Sequence, residues 1–178
     1  MRGVMQQLLE TLKYVHLRGV VHRDVKIENV LYDRERRRIT LIDFGVCKRF
    51  RKREERVEMW TVTGTLYYRA PEMLRGGGYR EGVDVWAAGV LLYKMVCGRT
   101  PFESEYHSET VKNILEKELI FPKEFKEFSN ALQAFVARLL NRNAKERVSA
   151  FEGLKDVWFY SIPSHMRHHL GSLNEIES

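Results

Sequence analysis

Residues 22–29 read His22-Arg23-Asp24-Val25-Lys26-Ile27-Glu28-Asn29, and further on the chain reads Asp43-Phe44-Gly45. This pair of segments decides the reading of the whole sequence. Phosphoryl transfer asks little covalent chemistry of a protein. It needs an aligned hydroxyl, a divalent metal bridging the phosphates and positive charge on the transferred group. Asp24 can orient a hydroxyl and take its proton. Lys26, two residues on, can place a point charge on a γ-phosphate. Asn29 and Asp43 offer hard oxygen ligands, and Mg²⁺ prefers one or two of these plus phosphate oxygens. A strand and hairpin between Asn29 and Asp43 would return the second ligand beside the first.

The surrounding pattern supplies such a hairpin. Val30-Leu31-Tyr32 and Ile39 to Ile42 are short β-type runs joined by the polar connector 33–38, and Val20-Val21 is another short run. Upstream, Val4, Leu8, Leu12 and Val15, with Met5 and Leu9 beside them, keep helical spacing until Gly19. Residues 46–64 have no clean period and are expected to form a long loop. Pro71 to Arg75 is expected to open a short helix. From Asp84 to Cys97 the chain is apolar nearly all round, with Gly98 as its stop and Pro101 beyond, which marks a central buried helix. Three amphipathic helices follow, marked by Val111, Ile114 and Leu115, by Leu132, Phe135, Val136, Leu139 and Leu140, and by the capping-box sequence Ser149-Ala150-Phe151-Glu152. The tail after Tyr160 has no period. The expected fold class is mainly α with a few short β-strands.

Taken together, these segments resemble the catalytic and metal-binding loops of the eukaryotic-type protein kinases. The resemblance continues through Gly64-Thr65-Leu66-Tyr67-Tyr68-Arg69-Ala70-Pro71-Glu72, Asp84-Val85-Trp86-Ala87-Ala88-Gly89 and Arg147, and covers roughly residues 4–160. It implies a partial protein kinase domain over 1–160, a C-terminal tail over 161–178, and ATP and Mg²⁺ as cofactors. Asp24 and Lys26 would be catalytic, Lys26 would also touch ATP, and Asn29 and Asp43 would hold metal. Glu72 and Arg147 are expected to form a buried ion pair, and Asp84 to bond the backbone around His22 and Arg23. His22 and Phe44 are expected to pack as internal residues, with Gly45 completing their loop. Lys26 and Thr65 resemble the serine/threonine branch, so the implied partner is a protein substrate. Gly98-Arg99-Thr100-Pro101-Phe102 and the C-terminal helices look most like the calcium/calmodulin-dependent group. Ile27 stands where many members have proline, a mild departure.

The resemblance also assigns the activation segment. Arg23 precedes Asp24 as in members ordered by phosphorylation. Thr61, then Thr63, is the expected acceptor for an upstream kinase, with Arg23 and Lys48 as partners for the phosphate. Glu28 matches an acidic position used against a substrate arginine, but Lys94 stands where a second acid often sits, which weakens an arginine-directed reading.

Composition bounds the alternatives. The 178 residues carry 30 Lys+Arg against 24 Asp+Glu, a formal charge of +6, and 44% are hydrophobic, which excludes a disordered chain. Two cysteines make no disulfide framework and read as free thiols. The longest apolar run, Val85 to Tyr93, stops at Lys94, far short of a membrane span of about 18 residues. The N-terminus lacks the apolar stretch of a signal peptide. These features lead us to expect a cytoplasmic or nuclear protein with no membrane partner. Residues 34–56 hold ten Lys/Arg (Arg34, Arg36, Arg37, Arg38, Lys48, Arg49, Arg51, Lys52, Arg53, Arg56) against Glu35, Asp43, Glu54 and Glu55, which accounts for the entire excess. Only Phe50 interrupts the basic run as an aromatic, so base stacking has little support and no nucleic-acid partner is expected. A bound phosphate is the simpler anion.

The 21 residues before His22 read as one helix, too few for a five-stranded sheet at ~5–6 residues per strand. The expectation is therefore the large, C-terminal lobe of the kinase fold without its β-rich small lobe. Gly76-Gly77-Gly78 follows Ala-Pro-Glu rather than a strand and reads as a turn. Three forms fit: a fragment of an active kinase, a catalytically silent kinase-like decoy, or half of a split kinase. The four intact residues Asp24, Lys26, Asn29 and Asp43 favour the first. His165, His168 and His169 read as solvated tail, and Cys47 as an inert thiol.

Overall fold

The chain folds into helices accompanied by two separate two-stranded β-ribbons. The computed structural model describes residues 1–49, 59, 61, 63–76 and 78–161. Phe50, the basic run Arg51 to Arg56 with its acids, Gly77 and the tail histidines His165, His168 and His169 lie outside the described residues.

Helix α1 (Arg2–Leu17) buries Met5, Leu8, Leu9, Leu12 and His16 along one stripe, the i, i+3, i+4 recurrence of a helix with one face against a core. Strand β1 (Val20–Val21) follows. Strands β2 (Val30–Asp33) and β3 (Arg38–Leu41) form an antiparallel hairpin with Val30 opposite Leu41 and Asp33 opposite Arg38. Its turn is held by the Asp33 carboxylate, which accepts the backbone N–H groups of Glu35 and Arg36 at 3.0 Å. Strand β4 (Lys48–Arg49) pairs antiparallel with β1, Val21 opposite Lys48.

The segment 46–64 is thus not loop throughout. Besides β4, Met59 and Tyr79 exchange two backbone hydrogen bonds of 3.0 and 3.1 Å. Both pairings are made by main-chain atoms, so charged side chains at Lys48 and Arg49 do not oppose them. Met59 itself is fully buried.

Helix α2 (Pro71–Leu74) starts on the expected proline. Helix α3 (Gly82–Cys97) begins two residues before Asp84 and buries every residue from Val83 to Tyr93. It is the axis of the domain, in contact with α1 on one side and α5 (Asn130–Leu139) on another. Gly89 permits the second approach: a Cβ there would lie 2.8 Å from Cβ of Leu139. Helix α4 (His107–Glu116) packs against α2. Helix α6 (Ala150–Gly153) has both arms of the capping box, with Ser149 Oγ accepting from Glu152 N at 3.1 Å and Glu152 Oε2 accepting from Ser149 N at 2.8 Å. It is only a single turn, because Asp156 caps a separate 3₁₀ turn at Val157–Phe159 and redirects the chain. The fold is mainly α with short strands, the large-lobe architecture expected.

Candidate active site

The chain leaves β1 at Val21 and enters an irregular loop before the 3₁₀ turn Ile27–Asn29. Four groups converge on the Asp24 carboxylate from that loop and from Thr65. Oδ2 accepts from Lys26 Nζ at 2.7 Å and from Asn29 Nδ2 at 3.1 Å. Oδ1 accepts from Thr65 N at 3.0 Å and Thr65 Oγ1 at 3.2 Å. Lys26 Nζ also donates to Thr65 Oγ1 at 3.1 Å. Burial pushes the Asp24 carboxyl up, but the hydrogen bonds from Lys26 and Thr65 outweigh it and hold the group below the ordinary carboxylate value. The hydrogen bond to Asp24 in turn raises Lys26 above an ordinary lysine, against a smaller desolvation effect. The result is a carboxylate kept ionised and aimed by four donors.

Thr65 reaches Asp24 because Gly64 turns tightly under it. Gly64 has φ 80, and a Cβ there would lie 2.4 Å from the carbonyl oxygen of Arg23, so only glycine allows this approach.

Asn29 is buried, and its Nδ2 is spent on the Asp24 carbonyl (2.8 Å) and carboxylate. Its amide oxygen is left as an acceptor. Ile42 N donates to Asn29 O at 2.9 Å, so the hairpin delivers Asp43 one residue beyond Asn29. Asp43 is exposed, with φ 62, and among the described residues only its Oδ1 is engaged, by Gly45 N at 3.2 Å. No group of three or more His, Cys, Asp or Glu able to cage a metal occurs among the described residues. Two hard oxygens with open valences instead fit Mg²⁺, which keeps waters and phosphate oxygens in its shell.

A second layer fixes the loop. Asp84, 1% exposed on α3, accepts from His22 N and Arg23 N at 2.8 Å each, and from His16 Nε2 at 2.8 Å. These bonds stabilise Arg23 at φ 69, where a non-glycine residue is otherwise strained by about 1–3 kcal/mol. His22 is fully buried and donates from Nε2 to Ile42 O at 3.0 Å, while its Nδ1 accepts from Asp24 N at 3.3 Å. Those partners assign the proton to Nε2. Phe44 meets the His22 ring edge-on, with centroids 4.7 Å apart. It is not internal as expected: it is 40% exposed, because the turn at Asp43 lifts it to the rim, where only one side of the ring is covered.

The family model described as "Protein kinase domain" matches residues 1–159. The chain belongs to the protein kinase family. It is 34% identical over 164 residues to calcium-dependent protein kinase 5 of Plasmodium falciparum, covering 90% of this chain and 28% of that protein. It is 37% identical over 161 residues to human RAC-beta serine/threonine-protein kinase, covering 88% and 32%. A third relative, serine/threonine-protein kinase ppk25 of Schizosaccharomyces pombe, is 38% identical over 158 residues, covering 88% and 36%. The chain spans about a third of the length of these relatives.

Within the kinase domain, Arg147 grips Glu72 with both terminal nitrogens, Nη1 to Oε1 at 2.6 Å and Nη2 to Oε2 at 2.9 Å. Arg147 also donates to the carbonyls of Asn141 and Gly82 at 2.8 and 2.9 Å, and its guanidinium lies 5.1 Å from the Trp86 ring centroid. In the loop before Asp24, Arg23 Nε donates to Val46 O at 2.6 Å and Nη1 to Tyr79 Oη at 3.3 Å. Tyr79 Oη donates to Thr61 O at 2.6 Å. Thr61 is exposed, Thr63 half-buried, and Lys48 half-buried on β4. Lys94 Nζ lies 4.0 Å from Glu28 Oε1 and 5.9 Å from the centre of Tyr68, whose buried hydroxyl has no partner among the described residues.

Two residues of the site escape sequence reading. His16 sits one turn past Leu12 on the buried stripe of α1, and a histidine at a core position facing a buried aspartate was the available signal. Tyr79 follows a glycine run with no period, and only its backbone bridge to Met59 brings it under Thr61.

Proposed function

We propose that this chain supplies the base, the phosphate-facing lysine and the magnesium ligands of an ATP-dependent protein serine/threonine kinase centre. The observation that carries the reading is the convergence of Lys26, Asn29 and Thr65 on the Asp24 carboxylate. The Thr65 hydroxyl makes the longest of these bonds, at 3.2 Å, and is the one a substrate serine or threonine hydroxyl would displace. Asp24 orients that hydroxyl and receives its proton, since it is held ionised. Lys26 balances charge on the transferred group. Asn29 and Asp43 would hold Mg²⁺, which supplies neutralisation of the ATP phosphates. The Glu28–Lys94 pair argues against selection of an upstream arginine in the substrate. Regulation by an upstream kinase acting on Thr61, and a cytoplasmic or nuclear site of action, belong to the same proposal.

The test is transfer of labelled γ-phosphate from ATP to serine/threonine peptides by the protein purified from its own cells. Asp24→Asn is expected to lower the rate by about 10²–10⁴. Transfer that survives this substitution unchanged would sink the reading.

A further inference from the structure

Away from the Asp24 centre, an open cleft of about 440 Å³ is lined by Glu72, Arg75, Arg142, Asn143, Ala144 and Lys145. Three of its six residues are cations. Its one carboxylate, Glu72, is already spent, with both oxygens taken by Arg147. Arg75 and Lys145 are exposed, and among the described residues neither they nor Arg142 has an acid within ion-pair distance. Glu146, in the same loop, accepts from the Asn143 and Asn141 side-chain amides at 2.8 and 3.5 Å.

Arg142 is the built part of the cleft. Its Nε donates to Ile114 O at 2.7 Å and its Nη2 to the carbonyls of Asn113 (3.1 Å) and Lys117, which ties it to the C-terminal end of α4. Phe102 lies beneath the guanidinium, 5.0 Å away at its centroid. The remaining terminal nitrogen, Nη1, has no protein partner among the described residues. Burial and then the neighbouring Arg75 charge push the guanidinium below the ordinary arginine value, so two like charges face one space. An anion between them would remove that repulsion and take up unused donors.

We propose that Arg75, Arg142 and Lys145 form a binding site for a phosphate monoester, presented as a phosphoserine or phosphothreonine side chain or as a free phosphate. A dianion with three acceptor oxygens matches three cations better than a carboxylate does. The wide mouth suits a group carried on a peptide.

The test uses the full chain, NMR detection of arginine Nε–H and backbone signals, and three probes: inorganic phosphate, a short phosphoserine peptide, and its unphosphorylated twin. Phosphate and phosphopeptide are expected to give saturable shifts at Arg75, Arg142 and residues 143–145, while the twin gives none. The double substitution Arg75→Ala with Lys145→Ala touches only exposed side chains and should weaken binding at least about tenfold. Arg34→Ala with Arg36→Ala on the β2–β3 turn should leave it unchanged. Tighter binding of the phosphopeptide assigns the site to a modified protein segment, and equal binding assigns it to the free anion. Shifts that do not saturate, that respond equally to both double substitutions, or that the twin reproduces would overturn the proposal. The readout is binding, so it stands apart from whether the chain transfers phosphate.

Discussion

The hydroxyl of Tyr79 donates to the backbone carbonyl of Thr61 at 2.6 Å and accepts from Arg23 at 3.3 Å. Tyr79 thus links the residue before Asp24 to the segment that carries the expected phosphate acceptor. The Thr61 carbonyl is clipped down while the residue remains exposed. We expect mass spectrometry of the protein from stimulated native cells to find phosphate on Thr61 or Thr63. Its complete absence from both would withdraw the regulatory part of the proposal.

The Glu72–Arg147 pair is bidentate, and the arginine side chain is fully buried. Removing one partner leaves a buried charge uncompensated, at a cost of about 3–5 kcal/mol. For a chain of this size, Arg147→Met should lower Tm by on the order of 10 °C, measurable by calorimetry. A change of under about 2 °C would show the pair to be peripheral.

The titration of Asp24 has a definite sign. Its folded pKa lies below the ordinary 3.8, so its contribution to stability is complete above 3.8 and is lost as pH falls through the depressed value. Lys26 is raised above 10.5; its contribution is complete below 10.5 and is lost as pH rises through the raised value. Carboxyl NMR should place the Asp24 midpoint under 3.8, and Lys26→Met should move it upward, since burial then faces fewer opposing bonds. A midpoint at or above 3.8 in the unsubstituted protein contradicts the geometry.

Half-buried Lys94 lies 4.0 Å from exposed Glu28, a pair worth about 0–1 kcal/mol to stability. Its effect is on charge rather than on the fold. Peptide arrays with the cell-purified protein should show no selection for an upstream arginine. Lys94→Glu should create one of on the order of tenfold, which ~1.4 kcal/mol of pairing produces, without changing Tm. Strong arginine selection by the unsubstituted protein would show that Lys94 leaves Glu28 available.

Catalysis of phosphoryl transfer depends on a water-excluded site. Among the described residues, Asp43, Phe44 and Gly45 stand exposed beside the half-buried Asp24. The 178-residue chain purified alone is therefore expected to phosphorylate peptides at background level. A robust rate that disappears in Asp24→Asn would instead reveal a way of holding ATP on this surface.

The sequence is most legible where side chains repeat with a period or are fixed by loop chemistry. The stripe Met5, Leu8, Leu9, Leu12 and the uninterrupted apolar run of α3 each dictate a helix with a known buried face. The proline at the start of α2 and the Ser149–Glu152 box mark boundaries through backbone donors. Legibility fails where main-chain atoms alone decide. The β1–β4 ribbon is two residues long, and the Met59–Tyr79 bridge joins a charged segment to a glycine run. Val20-Val21 reads as a short apolar run, but its partner Lys48-Arg49 and the Met59–Tyr79 bridge have no side-chain pattern to read. Phe44 misleads for a different reason: the resemblance implies an internal residue, whereas after the positive φ of Asp43 its ring is 40% exposed.

Asp84 receives donors from residues 62 and 68 positions earlier in the chain, His22 and His16. These are non-local contacts, and loop-closure entropy must be met before any of them forms. The loop holding Asp24 therefore acquires its geometry only once α3 has docked against α1. In hydrogen-exchange terms, the amides of His22 and Arg23 should open with the whole domain rather than by local fraying. Damage deep in α3, remote from any substrate, would then first be seen as a misplaced base.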